Sequence, residues 1–131
     1  MNRLTSSFLI LLTVFAFIAC SKDDDPKPGI NGLWTGKYGS STAAYPTNGY
    51  AFLFRSNGTV RVFNGIDTTI ASKAEGTYAI LGTTITTNYT YQGTSSTYST
   101  SATVNTNYTF MEGTWGSGTN TTNGGQFFIY K

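Results

Sequence analysis

The sequence predicts an all-β protein, folded as an antiparallel up-and-down β-barrel of about eight strands. Three observations predict this fold class. Apolar and aromatic residues recur at every second position in short runs, and that period is typical of β-strands. The runs begin about every ten residues and are separated by Gly, Asn, Ser and Thr. Beyond the N-terminal apolar stretch no segment has helical periodicity, because Gly and Thr interrupt each candidate helix.

The clearest single element is a β-hairpin at residues 75–91. Tyr78 and Ile80 share one face of its first strand, and Gly82 lies at the turn. The return strand places β-branched and aromatic residues on one face, namely Ile85, Thr87, Tyr89 and Tyr91. A lone hairpin is barely stable in water, so further strands must surround it.

The strands predicted before this hairpin are residues 31–38, 50–55 and 59–63, with a further short strand at residues 67–71. In the first strand Trp34 and Tyr38 share a face, and in the second Phe52 and Phe54 do so. Asn57-Gly58 predicts a tight turn between the second and third strands, because both turn positions need a positive φ.

The strands predicted after the hairpin are residues 98–104, 106–115 and 126–130. Consecutive strands joined by short turns form a meander, and a meander exposes its two outer strands unless it closes. The last predicted strand ends next to the C-terminal residue and is free to pair with the first. We therefore favour a closed barrel. A two-sheet β-sandwich is the alternative, because periodicity does not distinguish the two.

The N-terminal segment, residues 1–19, is predicted to be a secretory signal peptide. A charged start, Asn2-Arg3, precedes an apolar run of about a dozen residues, which is too short to span a membrane as a helix. The run ends at Cys20, the only cysteine. Phe17-Ile18-Ala19-Cys20 resembles a bacterial lipoprotein signal, which implies acylation of Cys20, for example by palmitate, and a membrane anchor. The alternative is a cleaved signal followed by a free cysteine.

Residues 20–29 are predicted to be the lipidated cysteine and a flexible tether, since charged residues, Pro and Gly follow Cys20 without an apolar residue. Lys22-Asp23-Asp24-Asp25 resembles the export signal of surface lipoproteins of Bacteroidetes. That resemblance implies an outer-membrane or cell-surface location, and an ordinary acidic linker is the alternative. The β-barrel domain is then residues 30–131.

Several classes of chemistry are disfavoured by the composition. The formal net charge is only +2 and the basic residues are scattered, which argues against binding to nucleic acid. The chain has no histidine, the commonest general base and transition-metal ligand. Glu75 and Glu112 are the only glutamates, and we interpret them as solvated strand-end charges rather than a glycosidase pair. We therefore expect no enzymatic activity, no catalytic residues, no metal and no cofactor.

Four short motifs resemble lipocalins. Gly32-Leu33-Trp34 is similar to the Gly-x-Trp of lipocalins and related calycins. The other three resemble repeats of small lipocalin-like lipoproteins of Bacteroidetes: Phe52-x-Phe54-x-x-Asn57-Gly58-Thr59, Gly76-Thr77-Tyr78-x-Ile80 and Gly113-Thr114-Trp115-Gly116. The resemblance covers most of residues 31–131 and implies a calycin-type barrel.

Aromatic residues are the candidate binding residues. Tyrosines that face a barrel interior can bind a small apolar or sugar-like ligand by stacking and hydrogen bonding. By strand alternation the lining residues would be Trp34, Tyr38, Phe52, Phe54, Tyr78, Ile80, Tyr89 and Tyr91. The alternative is an interior filled by its own side chains, as in many eight-stranded barrels.

These observations favour a lipid-anchored surface protein whose barrel binds a small hydrophobic or glycan ligand. The alternative is a non-enzymatic protein–protein interaction module of the cell envelope, such as an accessory subunit or an inhibitor. One modification site is also predicted. Asp67-Thr68-Thr69 is similar to the O-glycosylation motif of Bacteroidetes, and the resemblance implies that Thr68 is the acceptor.

Overall fold

The computed structural model describes residues 29–131, and within them it contains strands, turns and loops only. The strands are β1 (Gly32–Tyr38), β2 (Asn48–Phe54), β3 (Thr59–Asn64), β4 (Ser72–Leu81), β5 (Thr84–Tyr91), β6 (Thr97–Val104), β7 (Phe110–Ser117) and β8 (Gly125–Tyr130). Each strand pairs antiparallel with the next, and β8 pairs with β1 to close the sheet. The predicted up-and-down barrel is confirmed, and the alternative β-sandwich is wrong.

The predicted signal peptide and Cys20 lie outside the described residues, as does the predicted tether up to residue 28. Their assignments stay predictions. Between residues 29 and 131 no helix is long and apolar enough to cross a membrane.

Two segments predicted as strand are turns. In residues 67–71 the Asp67 side chain accepts hydrogen bonds from the backbone N–H and the hydroxyl of Thr69, which fixes a local turn instead of a ladder. Residues 106–109, predicted as the start of the seventh strand, form a turn for the same reason. The Asn105 side chain accepts from the backbone N–H groups of Thr109 and Phe110, so β7 begins only at Phe110.

One end of the barrel, which we call the closed end, is sealed by the two ends of the domain. Trp34 is fully buried there, and its indole Nε1–H donates to the Ile30 carbonyl oxygen at 2.7 Å. The Lys131 ammonium lies 5.9 Å from the Trp34 ring centroid and donates to the Gly29 carbonyl oxygen at 2.6 Å. The segment before β1 and the residue after β8 are therefore joined across the base of the barrel.

The middle of the barrel is filled by side chains. Phe52 stacks on Phe54 and on Phe127, with ring centroids 5.8 Å and 5.7 Å apart. Val60, Val62 and Ile129 complete this layer and are fully buried. No open channel therefore connects the two ends through the described core.

The opposite end, which we call the tyrosine end, carries the loops that follow β1, β3, β5 and β7. The inward-facing residues nearest to these loops are mostly tyrosines rather than aliphatic residues. The two ends of the barrel thus differ in chemistry, and the tyrosine end is the one that retains open space.

Candidate functional site

The tyrosine end contains a cavity of about 100 Å³, which we call the tyrosine cavity. Its lining comes from β1, β2, β3, β5, β6 and β7, so it is built by almost the whole barrel rather than by one loop. The lining residues are Tyr38, Tyr50, Asn64, Tyr89, Tyr91, Tyr98 and Trp115.

The six aromatic rings of this lining form an unbroken band. Around the rim, Tyr38 contacts Trp115 with centroids 5.8 Å apart, and Trp115 contacts Tyr98 at 5.9 Å. Tyr98 in turn lies 5.7 Å from Tyr91 and 6.1 Å from Tyr89. The band closes because the hydroxyls of Tyr89 and Tyr50 are hydrogen-bonded and the Tyr50 ring lies 5.0 Å from Tyr38.

Tyr50 and Tyr89 form the floor of the cavity. Both are buried, and Tyr50 packs edge-on against Phe52 and Phe127 of the filled layer below. Burial raises the pKa of Tyr50 well above the ordinary 10.0, and the neighbouring Tyr89 raises it further. Burial also raises the pKa of Tyr89, although its hydrogen bond with Tyr50 opposes part of that rise. The floor phenols are therefore neutral at physiological pH.

The rim is formed by Tyr38, Tyr91, Tyr98 and Trp115, which are partly buried. Partial burial raises the pKa of Tyr91, and the nearby phenols of Tyr38 and Tyr98 add to the rise. The Tyr38 hydroxyl donates to the Asn64 side-chain oxygen at 3.0 Å. Phenol oxygens therefore converge on the cavity from several strands at once.

Trp115 is held in place by backbone groups far away in the sequence. Its indole Nε1–H donates to the Gly39 carbonyl oxygen at 3.0 Å. Gly124 lies against the ring face, and a Cβ atom at that position would lie 2.6 Å from the Trp115 Cδ2 atom. Only glycine leaves room for the indole there, so the rim position of Trp115 depends on a small residue in the β7–β8 loop.

The structure distributes the eight predicted lining residues among three places. Tyr38, Tyr89 and Tyr91 line the tyrosine cavity. Trp34, Phe52, Phe54 and Tyr78 belong to the packed core, and the Tyr78 hydroxyl donates to the Arg55 carbonyl oxygen at 2.7 Å, with its pKa raised by burial.

Ile80 lines no part of the cavity. Its side chain is 44% exposed. It lies near the end of β4, where this strand extends beyond the packed layer of the barrel. Strand alternation indicates which face a residue is on and not how far along the barrel it lies, which is why Ile80 was grouped with the others.

Four lining residues were absent from the sequence-based set: Tyr50, Asn64, Tyr98 and Trp115. The position of each residue along its strand is the sequence feature that could have identified them. Tyr98 follows the start of β6, Tyr50 follows the start of β2, and Trp115 precedes the end of β7. In an up-and-down barrel, residues near the end of one strand and the start of the next lie at the same end of the barrel.

Thr68 lies in the turn of the β3–β4 loop and is partly exposed. The preceding Asp67 carboxylate holds this turn, and hydrogen bonds from the Thr69 hydroxyl and backbone N–H lower the pKa of that carboxylate. Glycosylation of Thr68 stays a prediction, as does acylation of Cys20, which lies outside the described residues.

The charged side chains lie apart from the cavity. Glu75 faces outward from within β4 and bonds both Arg55 and Arg61, so it is a paired charge and not an isolated charge at a strand end. Partial burial of Glu75 raises its pKa, but the hydrogen bonds and charges of the two arginines bring the pKa below the ordinary 4.5. Within residues 29–131 no group of three or more Asp, Glu, Cys or His side chains is placed to hold a metal ion.

Comparisons with protein-family models, with curated proteins and with solved structures found no match for this chain. The barrel and the tyrosine cavity are the features of the molecule that bear on its function.

Proposed function

We propose that this protein is a lipid-anchored lipoprotein of the outer membrane or cell surface whose barrel binds a small molecule in the tyrosine cavity. One observation carries the proposal: the barrel, whose middle is filled by side chains, has a cavity at its tyrosine end, and a closed aromatic band surrounds that cavity. Aromatic lining with a few convergent polar groups is typical of small-molecule sites.

The placement of the N-terminus supports this role. The chain enters the barrel at the closed end, where Ile30 is buried beneath Trp34. A tether of about ten residues spans at most ~35 Å when extended. With an acylated Cys20 in the bilayer, the tether would attach at the closed end, and the tyrosine cavity would lie at the end of the barrel farther from the attachment point.

Cavity size restricts the ligand. Pockets that hold drug-sized ligands have volumes of roughly 300–1,000 Å³, whereas the tyrosine cavity has about 100 Å³. A small hydrophobic molecule and a glycan are the two ligand classes expected from the sequence. Of either class, only a terminal group of a few heavy atoms enters the cavity, while the remainder contacts the loops of the tyrosine end.

We further propose that the barrel is lipocalin-like and of the kind found in small lipoproteins of Bacteroidetes. In lipocalins an arginine from near the last strands packs on the tryptophan of Gly-x-Trp. Here Lys131 lies over the Trp34 ring, at 5.9 Å from its centroid, and supplies a cation from the same part of the chain. The eight-stranded closed barrel is consistent with this relationship.

The binding function is tested by native mass spectrometry of the mature protein, released from detergent after incubation with a small-molecule extract of the producing cells. We expect a retained mass that is lost in Tyr98→Leu, which removes one ring of the rim, and kept in Tyr130→Leu, an exposed tyrosine outside the cavity. No retained mass from any extract, or equal retention by both variants, would contradict a binding role for the cavity.

The anchor is tested separately by metabolic labelling with palmitate. We expect the protein to incorporate the label and Cys20→Ala to lose it, with the variant released from the membrane fraction. Ser21→Ala is the matched control, since it leaves the acceptor thiol intact. Labelling that persists in Cys20→Ala would contradict the lipoprotein assignment.

A second candidate function, contact with an envelope protein, is favoured by the β3–β4 loop. Ile66 and Ile70 are 64% and 83% exposed on this loop, close to the tyrosine end. A photo-crosslinking residue placed at Ile70 in intact cells tests the idea, with Leu81 at the closed end as the control position. A discrete adduct from Ile70 alone supports a partner, and the absence of any adduct contradicts it.

A further inference from the structure

Building on the binding role proposed above, we infer that the tyrosine cavity takes the head group of a small organic cation of the alkylammonium class. Trimethylammonium is the representative group. Three features of the cavity carry this inference: the ring geometry, the charge of the lining and the volume.

The ring geometry matches that of an aromatic cage. Six rings line one small space; five pairs of neighbouring centroids lie 5.0–6.1 Å apart, and the hydrogen-bonded hydroxyls of Tyr50 and Tyr89 complete the band. The face of an aromatic ring carries negative potential and attracts a cation within about 6 Å of its centroid. Because all six rings line the same small space, a cation of a few heavy atoms placed in the cavity would contact several of them.

The polar groups of the lining also favour a positive ligand. The lining has phenol oxygens and the Asn64 side chain, and it contains no Lys, Arg, Asp or Glu. A buried anion would find no cation in this lining to compensate its charge, which is costly, whereas an alkylammonium ion is attracted to aromatic rings. Because burial raises the pKa values of Tyr50 and Tyr89, neither phenol ionises near neutral pH. Attraction to the cation therefore comes from the ring faces and from neutral oxygen lone pairs.

The volume selects the size of the group. The cavity volume of about 100 Å³ is well below the roughly 300 Å³ of the smallest pockets that hold drug-sized ligands. A trimethylammonium group is compact enough for such a space, and a whole sugar ring or an extended acyl chain is not. The rest of the ligand then leaves through the mouth of the cavity, which is open to solvent.

The test compares choline with its neutral carbon isostere, a dimethylbutanol in which a quaternary carbon replaces the nitrogen. The mature lipoprotein is labelled with ¹⁵N at tryptophan only, kept in a detergent that lacks ammonium groups, and followed by the indole signals of Trp115 and Trp34. We expect choline to shift the Trp115 signal with a dissociation constant on the order of 1 mM, since few atoms are bound. The isostere should bind at least about tenfold more weakly, because it lacks the charge.

Variants of Tyr91 separate the ring from its hydroxyl. Tyr91→Leu removes a rim ring and should weaken choline binding about fivefold or more, whereas Tyr91→Phe keeps the ring and should bind within about twofold of the natural protein. Tyr130→Leu, outside the cavity, should bind choline unchanged. An unshifted Trp34 signal in each variant shows that the barrel is folded, because Trp34 reports the packed closed end.

The outcomes distinguish the inference from the function on which it rests. Equal binding of choline and its isostere, or tighter binding of a neutral sugar, would overturn the cation inference while leaving a small-molecule site. No shift with choline, tetramethylammonium or phosphocholine would also overturn it, and the mass-spectrometric test would then decide the binding function alone. If phosphocholine binds more tightly than choline, the source is a lipid head group; if choline does, it is a free ammonium compound.

Discussion

At the scale of single residues, the outer surface is organised by Glu75, which joins β4 to the hairpin of β2 and β3. Its carboxylate accepts a hydrogen bond from Arg55 at 3.1 Å and another from Arg61. The three side chains are 33–39% exposed, so solvent screens the pairs, and each is worth about 0.5–1 kcal/mol at most. The lowered pKa of Glu75 turns this modest contribution into a dependence on pH.

We predict that Glu75→Gln loses about 1 kcal/mol of unfolding free energy near neutral pH and becomes less sensitive to acid. In the natural protein the folded state holds Glu75 ionised below the pH at which the unfolded chain binds its proton. The stabilisation is therefore complete above about pH 4.5 and is lost as the pH falls through the lowered pKa. Urea unfolding between neutral and acidic pH measures this, with Glu112→Gln as the control. Parallel acid slopes in the natural protein and Glu75→Gln would contradict it.

At the scale of elements, the barrel depends on the seam between β1 and β8. Only four residue pairs form it, from Thr35–Tyr130 to Tyr38–Phe127. Gly36 lies in the middle of the seam on the inner face, opposite Ile129. A Cβ atom at Gly36 would collide with the Phe128 carbonyl oxygen and lie 2.7 Å from the Ile129 Cα atom. The close approach of these two strands therefore requires glycine.

Gly36→Ala should destabilise the protein by about 2 kcal/mol or more, because backbone atoms must move apart at the seam. Hydrogen exchange should show the loss first at the amides that pair β1 with β8. Lys37→Ala, at the neighbouring exposed position, should change stability by no more than about 0.5 kcal/mol. Unfolding free energies that are the same for the two variants would mean that the seam is looser than described.

Strand alternation in the sequence predicts which face of the sheet a residue lies on, but not every strand or its depth in the barrel. Alternation placed Trp34, Phe52 and Tyr89 on inner faces, because a period of two follows directly from strand geometry. It failed at residues 67–71, where the side chain of Asp67 bonds its own backbone and replaces the ladder. It also grouped Ile80 with Tyr89, since alternation carries no information about depth along the barrel.

At the scale of the whole molecule, the barrel is asymmetric, with one sealed end and one open aromatic end. The site at the open end was harder to predict than the fold because it depends on long-range contacts. Trp115 is held at the rim by the hydrogen bond from its indole to the Gly39 carbonyl oxygen, and its ring occupies the space that Gly124 leaves free. Six different strands contribute to the cavity, and strand alternation in the sequence does not give the register that brings their residues together.

Burial of tyrosines at the open end predicts that the whole barrel unfolds at alkaline pH. Tyr50, Tyr89 and Tyr91 have raised pKa values because burial disfavours their phenolates. Their contribution to stability is complete below the ordinary pKa of 10.0 and is lost as the pH rises above it, because the unfolded chain releases these protons first. We expect tyrosinate absorbance from these residues to appear together with the loss of the β-sheet circular dichroism signal. Complete ionisation of all tyrosines with an unchanged dichroism spectrum would contradict their burial.

The most direct measurement of the central claim uses the two tryptophans as reporters of the two ends. Trp34 is buried at the closed end and Trp115 lines the tyrosine cavity. The mature protein labelled with ¹⁵N at tryptophan is mixed with the small-molecule fraction that native mass spectrometry identifies. We expect the Trp115 indole signal to shift while the Trp34 signal stays in place. A shift of Trp34 instead of Trp115, or no shift of Trp115 at saturating ligand, would show that binding does not take place at the tyrosine end.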